Sequence, residues 1–236
     1  MTTTTTDPIT KRLKDDNWDL HQIAERGGTP SSMIKGTISR EGYVSSLEQG
    51  WLVHEALDSA VRAARGAEPL VAEVVAEAHT FEPWYREDLA YFGGSTEAEP
   101  TPGTARFIAH IEAHKDDPMH ILGLHYVRLG ATNGNRFVAR KLRQVFGMES
   151  ATEGMMALDP FGEAQRGEWM KFKETLDALP LDGAQRDALF DGTRAAYVLT
   201  INLDLEDAMS ADELLEAHGK TLDRDAFEKG HSVHVN

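Results

Sequence analysis

The sequence predicts an all-α protein, an irregular helical bundle. Three observations carry this: apolar residues recur in steps of three and four through most of the chain, helix caps and stops punctuate it, and no alternating stretch is long enough to build a sheet.

The elements follow in order. Asp7 then Pro8 reads as an N-cap with a first-turn proline, opening a helix toward Arg26 that Gly27 and Gly28 stop. Ser39 opens a longer helix carrying Tyr43, Leu47, Trp51, His54 and Leu57 toward Val61, ended by Gly66. Leu70–Ala78 and Pro83–Tyr91 are shorter helical stretches, and Gly93 to Gly103 is a turn-rich connection. Thr104–His114 is helical. Asp116-Asp117-Pro118 caps a helix running toward Phe146, and Phe161–Leu179 forms the next. Pro180 to Gly183 turns the chain into a last long helix, Ala184 to Met209, and Ser210 caps a short one. The organisation is a disordered tail over 1–7, one helical domain over 8–209, and a C-terminal helix and tail over 210–236.

Composition narrows the function classes. The formal net charge is −15, which disfavours nucleic acid and anionic membranes as partners. No apolar run approaches the roughly 18 residues of a membrane span. The N-terminus, Met1 followed by Thr2 to Thr6, lacks the basic and apolar regions of a signal peptide. There is no cysteine, so disulfides, thiolate ligands and a cysteine nucleophile are excluded. The expected location is cytoplasmic.

Two faces carry chemistry. Lys14, His21 and Glu25 stand at i, i+7 and i+11, within about 40° of one another on a continuous helix. A carboxylate one turn from an imidazole can hold one ring nitrogen and leave the other as a metal ligand of raised basicity. Lys14 can meet an anionic group on the same ligand. The second face is a glycine stripe, Gly123, Gly130 and Gly134, on the helix after Pro118. Each glycine costs roughly 1 kcal/mol against alanine in a helix interior. Such a face either packs closely on another helix or lets a flat ligand approach the backbone. Thr132, Asn133, Gly134 and Asn135 are poor helix formers, so a kink is expected there.

Three collinear segments resemble the heme oxygenase family. The first is His21-Gln-Ile-Ala-Glu25, then Lys35-Gly36 and Ser39-Arg40-Glu41-Gly42-Tyr43; the second is Leu129-Gly130-Ala-Thr-Asn-Gly134. The third is Phe172-Lys173, the turn Leu179-Pro180-Leu181, and Ala196 to Leu203. The resemblance spans about residues 8 to 209. It implies a bundle with heme between the first helix and a kinked distal helix. His21 would be the proximal iron ligand and Glu25 its hydrogen-bond partner, with Lys14 and Lys173 near the propionates and Val127 in the heme-contacting set. Gly130 and Gly134 would lie over the distal face. The implied reaction uses O2 and electrons from a ferredoxin, flavodoxin or reductase, and yields biliverdin, CO and ferrous iron. A monomer or a homodimer is compatible with it.

The sequence departs from the family at Ala131, where the distal helix usually carries an aspartate that organises a proton-delivering water network. Asn133, Asn135 or Arg136 is expected to anchor a substitute, with His125 as a further candidate. Trp169 stands where a second basic propionate contact often occurs. The alternative reading is a heme-binding sensor, carrier or degenerate relative without efficient ring opening. A third, a dinuclear non-heme iron oxidase, would draw on Glu48, His54, Glu55, Glu112, His114, His120 and His125, with Asp204, Glu206 and Asp207. The thiamin-degrading relatives of the fold use a cysteine, which is absent. Arg136, Arg140, Lys141 and Arg143 form a basic strip, either a solvated face or a dock for an acidic electron donor. The tail histidines His218, His231 and His234 lie beyond the resemblance.

Overall fold

A computed structural model describes residues 7–150 and 153–219. The expected residues of the N-terminal tail before Asp7, and His231 and His234, lie outside the described residues. The order is α1 (Ile9–Asp16), α2 (Trp18–Arg26), α3 (Gly28–Lys35), α4 (Arg40–Ala67), α5 (Pro69–Val74), α6 (Glu82–Phe92), α7 (Pro102–His114), α8 (Pro118–Val145), α9 (Gln165–Ala178), α10 (Gly183–Ile201) and α11 (Ala211–His218). Short 3₁₀ turns cover Glu77–His79, Gly162–Ala164 and Asn202–Asp204. Among the described residues there is no strand, and no helix is long and apolar enough to cross a membrane.

The long helix α8 is the axis of the bundle, packed on α10, α4 and α9. Its buried residues Ile121, Leu122, Leu124 and Leu129 join Leu57, Val61, Phe81, Phe172, Leu176 and Leu189 in the main core. A second cluster gathers Tyr43, Leu47, Trp51, Leu89 and Leu142. The crossing of α8 and α10 depends on two glycines. A Cβ on Gly123 would fall 2.4 Å from the Leu189 carbonyl oxygen and 2.6 Å from the Thr193 nitrogen. A Cβ on Gly192 would fall 2.1 Å from the His120 carbonyl oxygen. Gly123 therefore serves helix packing, and the stripe divides along its length: its first glycine is covered by α10.

A buried ion pair fixes α8 against α4. Arg128 Nη1 donates to Asp58 Oδ1 at 2.6 Å, with both side chains under 5 % exposed. Asp58 Oδ2 also accepts from the backbone nitrogens of Phe81 and Glu82, at 2.8 and 2.7 Å, where α6 begins. Arg128 Nη2 lies 2.8 Å from His125 Nδ1, and the guanidinium sits 4.5 Å above the Phe81 ring. Burial and then this fixed cation push His54 and His79 down to about 4, and His125 well below its ordinary value.

Several details differ from the sequence reading. The first expected helix is two, because Asn17 leaves helical geometry (φ −116°, ψ 10°) and its side-chain amide donates to the Leu13 carbonyl at 2.9 Å. A short helix, α3, follows Gly27. Asp204 holds its start, accepting from the Thr29 nitrogen at 2.6 Å and the Thr29 hydroxyl at 3.0 Å. Gly28 takes φ +50°, and a Cβ there would strike that carboxylate. The last long helix ends at Ile201 instead of Met209. The buried Asn202 side chain bonds to the Val198 carbonyl and to both backbone groups of Met209, turning the chain. The N-cap of α1 is Pro8 instead of Asp7, and no side chain caps that helix. Finally, helix α8 is helical through Thr132–Asn135, the stretch where a kink is expected. Thr132 and Asn133 bond back to the carbonyls of Leu129 and Gly130, at 2.6 and 2.9 Å.

Two outcomes follow. Gly123→Ala drives a methyl into backbone and should destabilise by about 3 kcal/mol. Gly130→Ala, whose new methyl meets only the rim of a half-buried indole at 3.2 Å, should stay within about 1 kcal/mol of wild type. Denaturant midpoints check both. The depressed histidines around Arg128 set the pH dependence. Their stability contribution is complete above the unfolded value of 6.5 and is lost as pH falls toward 4. Asp88, raised to about 6 by burial, acts in the opposite sense but is one group against these three and against His110 and His120, which burial also lowers to about 4. Unfolding free energy should fall between pH 6.5 and 4.5, each histidine adding up to about 1.4 kcal/mol per pH unit; a flat profile would contradict this.

Candidate active site

His21 sits mid-way along α2 with 34 % of its side chain exposed. The Asn17 break leaves the expected column standing but inserts an aromatic in it. Lys14 Nζ lies 5.3 Å from the Trp18 ring centre, and Trp18 stacks on His21 at 5.4 Å and 8°. Glu25 Oε1 lies 3.8 Å from His21 Nε2. From α10, Tyr197 meets the imidazole edge-on at 5.8 Å. Burial, then Tyr126, then Glu25 raise the Tyr197 hydroxyl far above its ordinary pKa, so it stays protonated. Tyr197 thus brings α10 against the His21 helix.

Helix α8 is closed over its first two turns and opens from Val127 onward on one face. Residues 119–126, Arg128 and Leu129 are buried, while Val127, Gly130 and Gly134 are half-buried and Ala131 is exposed. Trp169, on α9, lies against Gly130, and a Cβ there would come 3.2 Å from the indole rim. Trp169 stacks on Phe172 at 5.6 Å and lies 5.3 Å from Tyr126, with Lys173 Nζ 5.7 Å from its ring centre. Tyr126 reaches α1, its hydroxyl 3.4 Å from the Thr10 carbonyl oxygen, and Asp177 of α9 accepts from Thr10 nitrogen and hydroxyl. Helices α1, α8 and α9 are therefore tied beside the open stretch.

The expected distal polar residues fare unequally. Asn133 spends its amide donor on the Gly130 carbonyl at 2.9 Å. Arg136 turns to Glu163 and Asp159, and Asp159 also faces Arg143. His125 is fully buried in the Arg128 network, off the open face. Asn135 stays half-buried on α8. Of the basic strip, Arg140 and Lys141 remain exposed.

The dinuclear iron set does not assemble. Glu48 accepts from the Ser95 nitrogen, Asp204 holds α3, and His54 Nδ1 bonds to the Gly50 carbonyl. The group with metal-binding geometry among the described residues contains no carboxylate: His110, His114 and His120.

Trp18 and Tyr197 were missed by sequence reasoning as site residues. Trp18 is legible in retrospect, three residues before His21 on the same face. Tyr197 is brought in by tertiary packing alone.

This chain belongs to the heme oxygenase family, whose model matches residues 7–206. It is 24 % identical over 214 residues to heme oxygenase 2 of Synechocystis, covering 86 % of this chain and 85 % of that protein. It is 22 % identical over 215 residues to heme oxygenase 1 of Pongo abelii, covering 86 % and 74 %. In fold it is similar to Leptospira interrogans heme oxygenase (TM-score 0.75, 17 % identity, 83 % of this chain and 98 % of that one). It is also similar to Synechocystis heme oxygenase-1 in complex with heme (TM-score 0.74, 15 % identity, 95 % and 100 %).

The residues present suit a heme in kind. A half-exposed imidazole stands on α2, and a lysine sits over an indole on each of α1 and α9. The α8 wall is stripped of side chains at Gly130 and Gly134. A separate cleft of about 270 Å³ beside Trp18 suits it less, being lined by Asp15, Asp16 and Asp19 against the single cation Arg194. Those carboxylates repel a dianionic porphyrin.

Proposed function

We propose that this chain binds heme through His21 and cleaves it, with O2 and external electrons, to biliverdin, CO and ferrous iron. The observation that carries this is His21 itself. In a chain matched to the family over residues 7–206, it is a half-exposed imidazole stacked on Trp18 with Glu25 one turn on. Heme is the substrate and supplies the iron that binds O2. The chain's own groups divide the remaining work. One ring nitrogen of His21 ligates, while Glu25 and the Trp18 and Tyr197 rings fix the plane of the imidazole. Lys14 and Lys173 pair with the propionates. The backbone at Gly130 and Gly134 crowds the distal side, and Trp169 walls it. A ferredoxin, flavodoxin or reductase supplies electrons, with the exposed Arg140 and Lys141 as its docking cations.

A second reading, a heme binder without efficient ring opening, is favoured by one observation. Ala131 offers no carboxylate, and Asn133 and Arg136 are already engaged with the Gly130 carbonyl and with Glu163 and Asp159.

Hemin added to the protein should give a Soret band of imidazole ligation, lost or shifted in His21→Ala; tight non-heme iron with no Soret band would sink the assignment. In single turnover with ascorbate or reduced ferredoxin under O2, biliverdin and CO should appear. Ala131→Asp separates the two readings. The oxygenase reading expects less than about tenfold change in rate. A gain of the roughly 10²- to 10⁴-fold that one positioned proton donor contributes would favour the second.

A further inference from the structure

We propose that His110, His114 and His120 form a second metal site, which takes a Zn²⁺-class divalent transition ion through three imidazole nitrogens. The site joins the last turn of α7 to the first turn of α8 and is independent of the heme reading.

His110 and His114 are one turn apart on α7, and the Lys115–Asp117 turn brings His120 back against them. One ring nitrogen from each histidine lies within 4.8 Å of those of the other two. His110 Nε2 and His120 Nε2 are 2.9 Å apart, within hydrogen-bond reach of one another. In a tetrahedral site with Zn–N of 2.0–2.1 Å, ligand nitrogens stand about 3.3 Å apart. The pair therefore needs to open by only a few tenths of an ångström. The His114 ring stacks on those of His110 and His120, at 4.2 Å and 29° and at 4.0 Å and 13°, so ligation requires it to rotate about its Cβ–Cγ bond until a ring nitrogen points at the ion.

The outer shell favours ligation as well. His114 Nδ1 donates to the His110 carbonyl at 2.9 Å, which fixes the tautomer and leaves the lone pair on Nε2. Asp117 Oδ1 accepts from the His120 nitrogen at 3.1 Å and so holds the backbone that carries the third ligand. His120 is 5 % exposed, while His110 and His114 are half-buried, which leaves a route in for an ion and a fourth position for water. A set of three imidazoles without carboxylate or thiolate selects zinc, nickel or copper over magnesium or calcium. Among these zinc fits three protein ligands with one open position. The net charge of −15 favours cation capture. The site is distinct from the glycine face: His120 precedes Gly130 by ten residues, about 15 Å along α8.

The test uses the full, tag-free chain stripped of metal and without heme, titrated with Zn²⁺ against a chelating dye and, separately, with Co²⁺. One saturable Zn²⁺ site per chain is expected, with a tetrahedral Co²⁺ visible spectrum. His110→Gln/His114→Gln should weaken Zn²⁺ binding by more than the roughly 10- to 100-fold that loss of an outer-shell partner costs. His21→Ala, and replacement of His218, His231 and His234 by glutamine, should leave it intact. Equal affinity in the double variant, loss of binding on replacing the tail histidines, or a six-coordinate Co²⁺ spectrum would overturn the proposal. Should the double variant fail to fold by circular dichroism, His114→Gln alone is expected to show the same loss, and the wild-type Co²⁺ spectrum decides independently.

Discussion

The buried contact between Arg128 and Asp58 organises this molecule. Asp58 draws together the side chain of Arg128 and the first backbone amides of α6, so one carboxylate joins α4, α6 and α8. Removing either partner would strand a charge with both side chains under 5 % exposed, a loss of about 3–5 kcal/mol. The pair also sets the rotation of α8. With Arg128 pointed at the core, Val127, Gly130 and Gly134 must lie on the remaining open face. Burial, and then the same cation, keeps the neighbouring imidazoles neutral, and His125 is spent inside this network.

Around that axis the two walls of the proposed heme site are built differently. The α1–α2 wall is a local column, Lys14 from α1 and Trp18, His21 and Glu25 from α2, kept in register across Asn17. The α8–α9 wall is assembled by distant residues, with Trp169 closing on Gly130 and Lys173 above it. Tyr197, on α10, links the two, since both α2 and α8 pack on α10. The glycine pair Gly123 and Gly192 lets α10 come close enough to α8 for this. A glycine stripe that reads as one feature in the sequence is thus two devices, one for packing and one for the open face.

Much of the fold was legible because periodicity and capping are local. Ser39, Asp117 and Ser210 cap their helices with a side-chain oxygen where the sequence places them, whereas Asp7 does not cap α1. The Asn17 break was not legible, because one asparagine shifts helix propensity by well under 1 kcal/mol and the outcome rests on its bond to the Leu13 carbonyl. Helix α3 and the end of α10 rest on Asp204 and Asn202, each read only once its partner is in place. In the proposed site, the column of Lys14, His21 and Glu25 follows from helical spacing and survives the break at Asn17, while Tyr197 enters through tertiary packing alone. The three-histidine cluster was half-visible: His114 and His120 stood out as metal-ligand types, but His110 and the turn that gathers all three required the structure.

Family membership and fold stand on the match over residues 7–206 and on the arrangement of helices. The central functional claim concerns where a heme sits relative to His21 and the open face of α8. A crystal structure of the hemin complex measures this most directly. The account predicts iron bonded to a ring nitrogen of His21, the porphyrin edge near Lys14 and Lys173, and the opposite face against Gly130 and Gly134. Iron bonded to any other histidine, or a porphyrin lodged in the acidic cleft beside Asp15, Asp16 and Asp19, would contradict it.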